Sequence, residues 1–424
     1  MSKLHMSKMF KRFKNKPLYV VLFTMFVDML GYGILIPVIP QLLGDQDSPY
    51  SVLPLGYSIE QGYILLGFLV GIYPLMQFVA TPILGQLSDK YGRRKILAIS
   101  LTGTCLSYLV FAYAILTRNI PLLFISRGFD GITGGNISVA QAAIADITTP
   151  EKRAKNFGLM GAAFGLGFIV GPYLGGKFSD QNLVSWFNAS TPFWFAAILS
   201  FINVISVLLF FPETLKFMQR GVKIEWLRSI KNIIAAYGMK SVRVPFITSF
   251  LFQSGFTFFT TFFSIYLIRK FNFNQGNIGD FFAYIGICVV LSQAIVTRWL
   301  SKRYAEHQIL KVSILAAGVL VAAHFIPQAS WGLLLVTPLF ATMIGLTQAN
   351  LPSLVSRSVG PKIQGQILGV NSSVNTLAQA LPPMLSGYIA ALLTPNAPLI
   401  ISACILGLAG IVFMTTYKPN YQKQ

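Results

Sequence analysis

The chain has 424 residues, of which 54% are hydrophobic and only 11% charged, and its mean hydropathy is +0.63. A soluble globular protein carries about 25% charged residues, so a soluble domain is excluded and a polytopic helical membrane protein is expected. The net charge of +20 does not indicate a nucleic-acid partner, because the basic residues sit between apolar segments rather than on a domain of their own.

The chain opens on a basic arm, residues 1–17, which suits a cytoplasmic anchor against anionic lipid of the bilayer. The first apolar stretch is expected to be retained rather than cleaved. It is long, carries Asp28 and lacks a small-residue cleavage site near its end. Apolar stretches of about 20 residues then fall near 18–43, 61–87, 95–116, 120–145, 156–176, 190–212, 245–268, 276–297, 309–327, 331–355, 363–391 and 396–416. The spacing predicts twelve transmembrane helices. Spans two, four and eleven are interrupted by Pro or Gly, which membrane helices tolerate when neighbours satisfy the freed backbone groups. The three cysteines, Cys105, Cys288 and Cys404, lie in apolar stretches without metal-ligand spacing and read as small buried hydrophobes.

Charge placement sets the orientation. With the N-terminus inside, 28 of the 33 Lys and Arg residues fall on the inside. Only Arg118, Lys177, Arg269 and Lys270 fall outside, and Arg127 lies within a span. Both termini are therefore expected in the cytoplasm, with the positive charge serving topology.

A thirteen-residue stretch between spans two and three, GQLSDKYGRRKIL (85–97), carries five charges and two glycines. It has an echo at 298–310, RWLSKRYAEHQIL, in which Asp89 faces Lys302 and Arg93 faces Glu306 with reversed sign. Further matches lie at an offset of 211: Gly134 with Gly345, Pro150 with Pro361, Gly158 with Gly369, and Pro172 with Pro383. They predict a duplicated six-span unit, giving bundles at 18–212 and 244–416. A basic cytoplasmic linker at 213–243 joins the bundles, and a cytoplasmic tail follows at 417–424. A parallel repeat of this kind places a substrate cavity between the halves near the bilayer midplane.

Together with DMLGYGILIPVIP (28–40), RGFDG (127–131), GLGFIVGPYLGG (165–176) and FPETL (211–215), this pattern resembles the major facilitator superfamily. The resemblance is nearest to its drug:proton antiporter branch, which holds the tetracycline efflux proteins. It is ordered through the first half and sparse in the second. The fold it implies is an all-α membrane protein of twelve helices in two pseudo-symmetric six-helix bundles.

In the charged stretch, Gly85 and Gly92 permit close helix approach and a tight turn. Asp89, Arg93 and Arg94 offer partners to opposite charges and helix ends. Either these are solvated topology charges, or they latch the cytoplasmic ends of the halves in the outward-facing state, as the resemblance implies. The echo lacks the glycines and reads as a degenerate copy. In span five, Gly167, Gly171, Gly175 and Gly176 around Pro172 make one smooth helix face. It serves ordinary tight packing or, as the resemblance implies, an antiporter seal.

A charge in hydrocarbon costs at least about 2.5–3.5 kcal/mol, so Asp28, Arg127 and Asp130 must face a cavity or a partner. Arg127 and Asp130 share a helical face. They form a structural bridge, or Asp130, Asp28 or both carry the coupling proton with Arg127 tuning them; alternatively Asp28 caps or bonds within span one. Asp146 and Asp280, near span ends, read as solvated interfacial acids, and His324 as a packed histidine. Tyr73, Gln77, Asn136, Gln253 and the stripe Asn371, Asn375, Gln379 mark a candidate cavity wall or helix–helix contacts. Tyr73, Phe256 and Tyr266 are candidate aromatic walls for a flat, amphipathic substrate. The second half has no mid-span carboxylate, unlike the tetracycline exporters, so the resemblance bears on the chassis more than on tetracycline.

No catalytic constellation, phosphate loop or cofactor site is recognised, so the expected partners are protons and a small molecule, and the expected state is a monomer. The reading is a transporter of the cell (inner) membrane that exports a small amphipathic compound in exchange for protons. A dedicated exporter of an endogenous metabolite, such as a siderophore or lipid precursor, and a non-transporting receptor on the same chassis are the alternatives.

Overall fold

The computed structural model describes residues 17–149, 152–215, 224–226, 230–231, 233–234, 238–360 and 363–418. The basic arm, most of the linker and the end of the tail lie outside them. Twelve long helical elements account for the twelve expected spans. They are α1 (Pro17–Leu43), α2 (Ile59–Tyr91), α3 (Arg93–Leu116), α4 (Ile120–Thr133, a 3-10 turn Gly134–Asn136, then Ile137–Ile147), α5 (Arg153–Phe178) and α6 (Thr191–Phe210). The second six are α7 (Lys240–Phe271), α8 (Gln275–Leu291, a π-turn Ser292–Thr297, then Arg298–Leu300), α9 (Glu306–Ala323), α10 (Ser330–Arg357), α11 (Gln364–Leu392) and α12 (Ala397–Thr416). Ten of the twelve are long and apolar enough to cross a membrane. The exceptions are α4, broken by its 3-10 turn, and α11, whose first half carries the amide stripe.

Helix starts follow their caps. Ser58 and Gln61 form a reciprocal capping box at α2, and Asn274 and Asn277 form one at α8. Asn119 accepts from the Leu122 amide at α4, with Pro121 in the first turn. The interrupted spans behave differently from one another. Pro74 and Pro82 lie inside a continuous α2, and Pro382 and Pro383 inside a continuous α11, whereas α4 changes its winding at Gly134.

The charged stretch is hardly a loop at all. Residues up to Tyr91 belong to α2 and Arg93 begins α3, so Gly92 alone joins them. Its φ of 98° lies in the region that favours glycine, and a Cβ there would run into the Glu213 carboxylate. Four residues of the expected linker, from Lys240 on, are already helical in α7.

The duplication is visible in the packing. In the first half α1 packs on α5 and α6, α3 on α4 and α6, and α2 on α4. Adding six to each number gives the pairs of the second half: α7 on α11 and α12, α9 on α10 and α12, and α8 on α10. Polar contacts repeat as well. Thr104 and Thr133 bond α3 to α4 at 2.9 Å, and Ser313 and Thr347 bond α9 to α10 at 2.8 Å. Phe111, Phe193 and Tyr63 anchor the apolar core of the first half, which also takes in Phe262, Ile265 and Ala390 from the second, and Phe259, Phe263, Phe282 and Phe340 anchor the core of the second half.

Across the halves, α2 lies along α11 and α5 along α8. Both crossings depend on backbone contact at glycine. A Cβ on Gly279 would stand 2.6 Å from the Pro172 carbonyl and 3.0 Å from the Gly176 Cα. In the other crossing, a Cβ on Gly387 would stand 2.5 Å from the Tyr63 carbonyl and 3.3 Å from the Gly67 Cα. Gly176 and Gly387 are 211 residues apart, and Gly67 and Gly279 are 212 apart, so the two crossings are equivalent under the repeat. Both lie toward the membrane face opposite the termini. On the face of the termini, Gly158 and Gly161 of α5 and Gly369 of α11 look into open space. The molecule is closed on one face and parted on the other.

Candidate functional site

Between the halves lies a cavity of about 280 Å³. Tyr73, Gln77, Gln253, Gln379 and Phe256 line it, as the sequence led us to expect, together with Arg127 and Gln348. Asn136, Asn371 and Asn375 are not in its lining. Tyr266 is not a wall either. It is buried, and its hydroxyl donates to the His324 carbonyl at 2.7 Å. Tyr32, Thr257, Thr260 and Thr261, which are not among the expected wall residues, also line the cavity. With Gln253, the three threonines recur at three- and four-residue steps on α7, a periodicity legible in hindsight.

Behind the cavity wall the first half holds a polar knot. Arg127 Nη1 donates to Asp130 Oδ2 at 2.7 Å, with both side chains buried. The guanidinium also lies over the Tyr73 ring, 4.5 Å from its centroid. Arg127 Nε and Asp28 Oδ2 are buried without a hydrogen-bond partner. Asp28 stands beside Asn136 and within electrostatic reach of Asp130. Tyr108 reaches the knot from α3, passing so close over α1 that a side chain at Gly31 would collide with its hydroxyl. The 3-10 turn of α4 is held from α2. Gln77 Nε2 donates to the Gly134 carbonyl at 2.9 Å and to the Tyr73 hydroxyl at 3.3 Å. A side chain thus bonds the backbone where the winding changes. The three intramembrane charges are brought to one place, but Arg127 alone among them reaches the cavity wall.

The charged stretch forms a compact cluster at the face of the termini. Arg93 is shared between Asp89, 2.6 Å away and four residues earlier on the chain, and Asp146 at the end of α4, 3.1 Å away. It also donates to Ser88 Oγ at 2.6 Å. Glu213 accepts from the Arg93 and Arg94 amides at 2.9 and 3.2 Å, capping the start of α3, and Arg94 bonds the Leu208 carbonyl. Gln86 exchanges two hydrogen bonds with the Glu225 backbone. The cluster's partners among the described residues are in the first half and the linker. Gly85 packs near Ser138 of α4.

Asp146 is not a solvated acid, because it pairs with Arg93 and accepts from Thr214 at 3.3 Å. Asp280 is exposed, as expected of an interfacial acid, and also pairs with Lys177 at 2.8 Å across the α5–α8 crossing. The echo at 298–310 is not simply degenerate. Glu306, the counterpart of Arg93, pairs with Arg357 at 3.2 Å and accepts from Ser353 at 3.2 Å. Arg357 lies 211 residues after Asp146, so the same α3–α4 bridge recurs as an α9–α10 bridge with both signs exchanged. Reversing one charge is tolerated because its partner reversed with it. We expect Glu306→Arg to lower thermal stability and Glu306→Arg with Arg357→Glu to restore it. The coupling should be about 1 kcal/mol or less, since Arg357 is exposed. A double-mutant cycle by thermal unfolding checks this, and no recovery in the double variant counts against the bridge.

The glycine face of α5 serves two neighbours. Gly167, Gly171 and Gly175 meet the α1 backbone at Phe26, Leu30 and Ile34, within the first half, while Gly176 meets Gly279 across the halves. His324 is packed as expected, with Nδ1 at 2.7 Å from the Leu320 carbonyl and its ring among Phe259, Phe263 and Phe340.

The family model of the Major Facilitator Superfamily matches residues 21–383. The chain belongs to the major facilitator superfamily. It is 32% identical over 378 residues to the class H tetracycline resistance protein of Pasteurella multocida, covering 88% of this chain and 89% of that one. It is 31% identical over 371 residues to the class C tetracycline resistance protein of Escherichia coli, again covering 88% and 89%. Among solved structures, a D-xylose-proton symporter superposes with a TM-score of 0.75 at 15% identity, covering 95% of this chain and 97% of that one. Members of this superfamily are multi-pass membrane transporters of small molecules, not enzymes, and the polar cavity between two duplicated halves is the feature that such transport needs.

Proposed function

We propose that this superfamily member is a proton-coupled exporter of a small amphipathic organic compound. The observation that carries the reading is the buried Arg127–Asp130 pair with Asp28 beside it, placed directly behind the wall of a cavity shared by both halves. Carboxylates inside a membrane bundle are costly and mark ion or proton pathways. Here they stand where a change of protonation alters a cavity-lining cation. The names of the relatives support the direction. Several are tetracycline resistance proteins, and a 25% identical one is multidrug resistance protein 2 of Bacillus subtilis.

Alternating access is the mechanism that fits the packing. The halves touch at two equivalent glycine crossings on one face and stand apart on the other, so rocking about the central cavity exposes it to each side in turn. The Lys and Arg asymmetry assigns the face of the termini to the cytoplasm, in the inner membrane of the cell, which makes the conformation described here inward-facing. In that assignment the Asp89–Arg93–Asp146 cluster is disengaged from the second half and engages it when the cytoplasmic face closes.

The test is reconstitution in liposomes with an imposed pH gradient and a pH dye inside. Tetracyclines, fluoroquinolones and cationic dyes are added in turn. Substrate-dependent proton movement that disappears in Arg127→Ala supports the proposal. Folded protein that moves no protons with any compound counts against it.

A further inference from the structure

The cavity wall has a one-sided charge. Among its described lining residues there is one cation, Arg127, and no carboxylate. Asp130 and Asp28 are buried behind the wall rather than in it. Part of the remaining polar lining is already committed as donors. Gln77 is spent on Gly134 and Tyr73. Thr257 and Thr261 donate back to the carbonyls four residues earlier, at 2.8 and 2.7 Å.

A ligand cation entering this space finds no counter-charge among the described lining residues, and the Tyr73 face is already covered by the guanidinium. A ligand anion finds Arg127. Its Nη1 is held by Asp130, which fixes the direction of the group. The guanidinium at the wall offers charge-assisted hydrogen bonds to an anion. The apolar part of the wall, Leu35, Ile39, Leu66, Val70, Phe168 and Phe256, suits a ring or chain. The volume lies just below the usual range for ligand pockets, about 300–1,000 Å³, which suits a small ligand.

We infer that the substrate is a small amphipathic organic anion, an aromatic or alicyclic body bearing one acidic group that is read by Arg127. The inference rests on the cavity being the transport site, and it narrows the cargo from amphipathic compounds at large to acids.

The test compares two permanently charged probes of similar shape, naphthalene-1-sulfonate and (naphthalen-1-ylmethyl)trimethylammonium. Neither crosses lipid unaided or changes charge with pH. Binding to the purified full-length protein is measured by calorimetry, and flux in proteoliposomes with labelled probe. The expected result is a preference of about tenfold or more for the sulfonate. That preference should be kept in Arg127→Lys and lost in Arg127→Gln. Because Arg127→Gln leaves Asp130 unpaired, Arg127→Gln with Asp130→Asn is the second variant, removing both charges together. If neither variant folds, the preference of the unaltered protein decides. Equal or tighter binding of the ammonium probe overturns the anion inference while leaving the exporter reading standing. Binding of neither probe also overturns it. The exporter reading fails separately, if no compound moves protons in the pH-gradient assay.

Discussion

Asp130→Asn is expected to abolish proton-coupled flux while leaving the protein folded. The asparagine carbonyl still accepts from Arg127 Nη1, so the 2.7 Å contact survives as a neutral–charged hydrogen bond. Removing one partner of a buried pair outright costs about 3–5 kcal/mol, and keeping the acceptor avoids part of that. On the proposed mechanism, what the variant loses is the site that takes and releases a proton next to a cavity-lining cation. Substrate binding should persist, and the pH gradient should no longer drive accumulation. The check is paired: equilibrium binding, then proton flux in liposomes. Undiminished coupling in Asp130→Asn together with its loss in Asp28→Asn would transfer the proton to Asp28, whose Oδ2 has no partner. Undiminished coupling in both would remove the knot from the mechanism.

Gly279→Leu is expected to disable transport by a different route. The α5 and α8 backbones touch at Gly176 and Gly279, and a Cβ on Gly279 would sit 2.6 Å from the Pro172 carbonyl. The atoms in the way are main chain and cannot swing aside. Overpacking of this kind costs about 1–3 kcal/mol. Here the cost falls on the state in which the crossing is closed, which shifts the balance between the two faces by about 5–150-fold. Cysteines at Lys177→Cys and Asp280→Cys, replacing a pair 2.8 Å apart, report the closure in a background lacking Cys105, Cys288 and Cys404. Cross-linking should be fast with Gly279 and slowed by Gly279→Leu. The contrast is Gly171→Leu, whose clash is with Leu30 and Gly33 inside the first half. That variant should lower thermal stability rather than change the cross-linking rate of protein that folds. An unchanged cross-linking rate in Gly279→Leu would mean that closure lies elsewhere.

The fold was largely written in the chain, for a reason particular to membranes. Spanning backbone must satisfy its own hydrogen bonds, so apolar length alone marks helices, and ten of the twelve stand out by that measure. The repeat could be read because equivalent glycines and prolines keep their offset. Arg127 and Asp130 could be read as partners because three residues put them on one helical face. The sequence also pointed to Asp28, since a charge in a span must answer for its cost.

Pairings between distant segments were beyond its reach. That Arg93 is matched to Asp146, and Glu306 to Arg357 with the signs exchanged, needs α3 against α4 and α9 against α10. Without those contacts the echo reads as decay. Gly67, Gly279 and Gly387 carry no mark along the chain that separates them from other glycines, and only the crossings show which backbones meet there. The amides divide the same way. Gln77, Gln253 and Gln379 reach the cavity, while Asn136 is buried behind it, because helical rotation, not residue type, decides which face a side chain occupies. Composition and period determined by themselves that this is a duplicated twelve-helix membrane protein with intramembrane charges in its first half. The tertiary structure alone decided that those charges meet in one knot and that its single cation looks into the cavity, since the sign of a wall depends on which side chains the packing leaves uncovered.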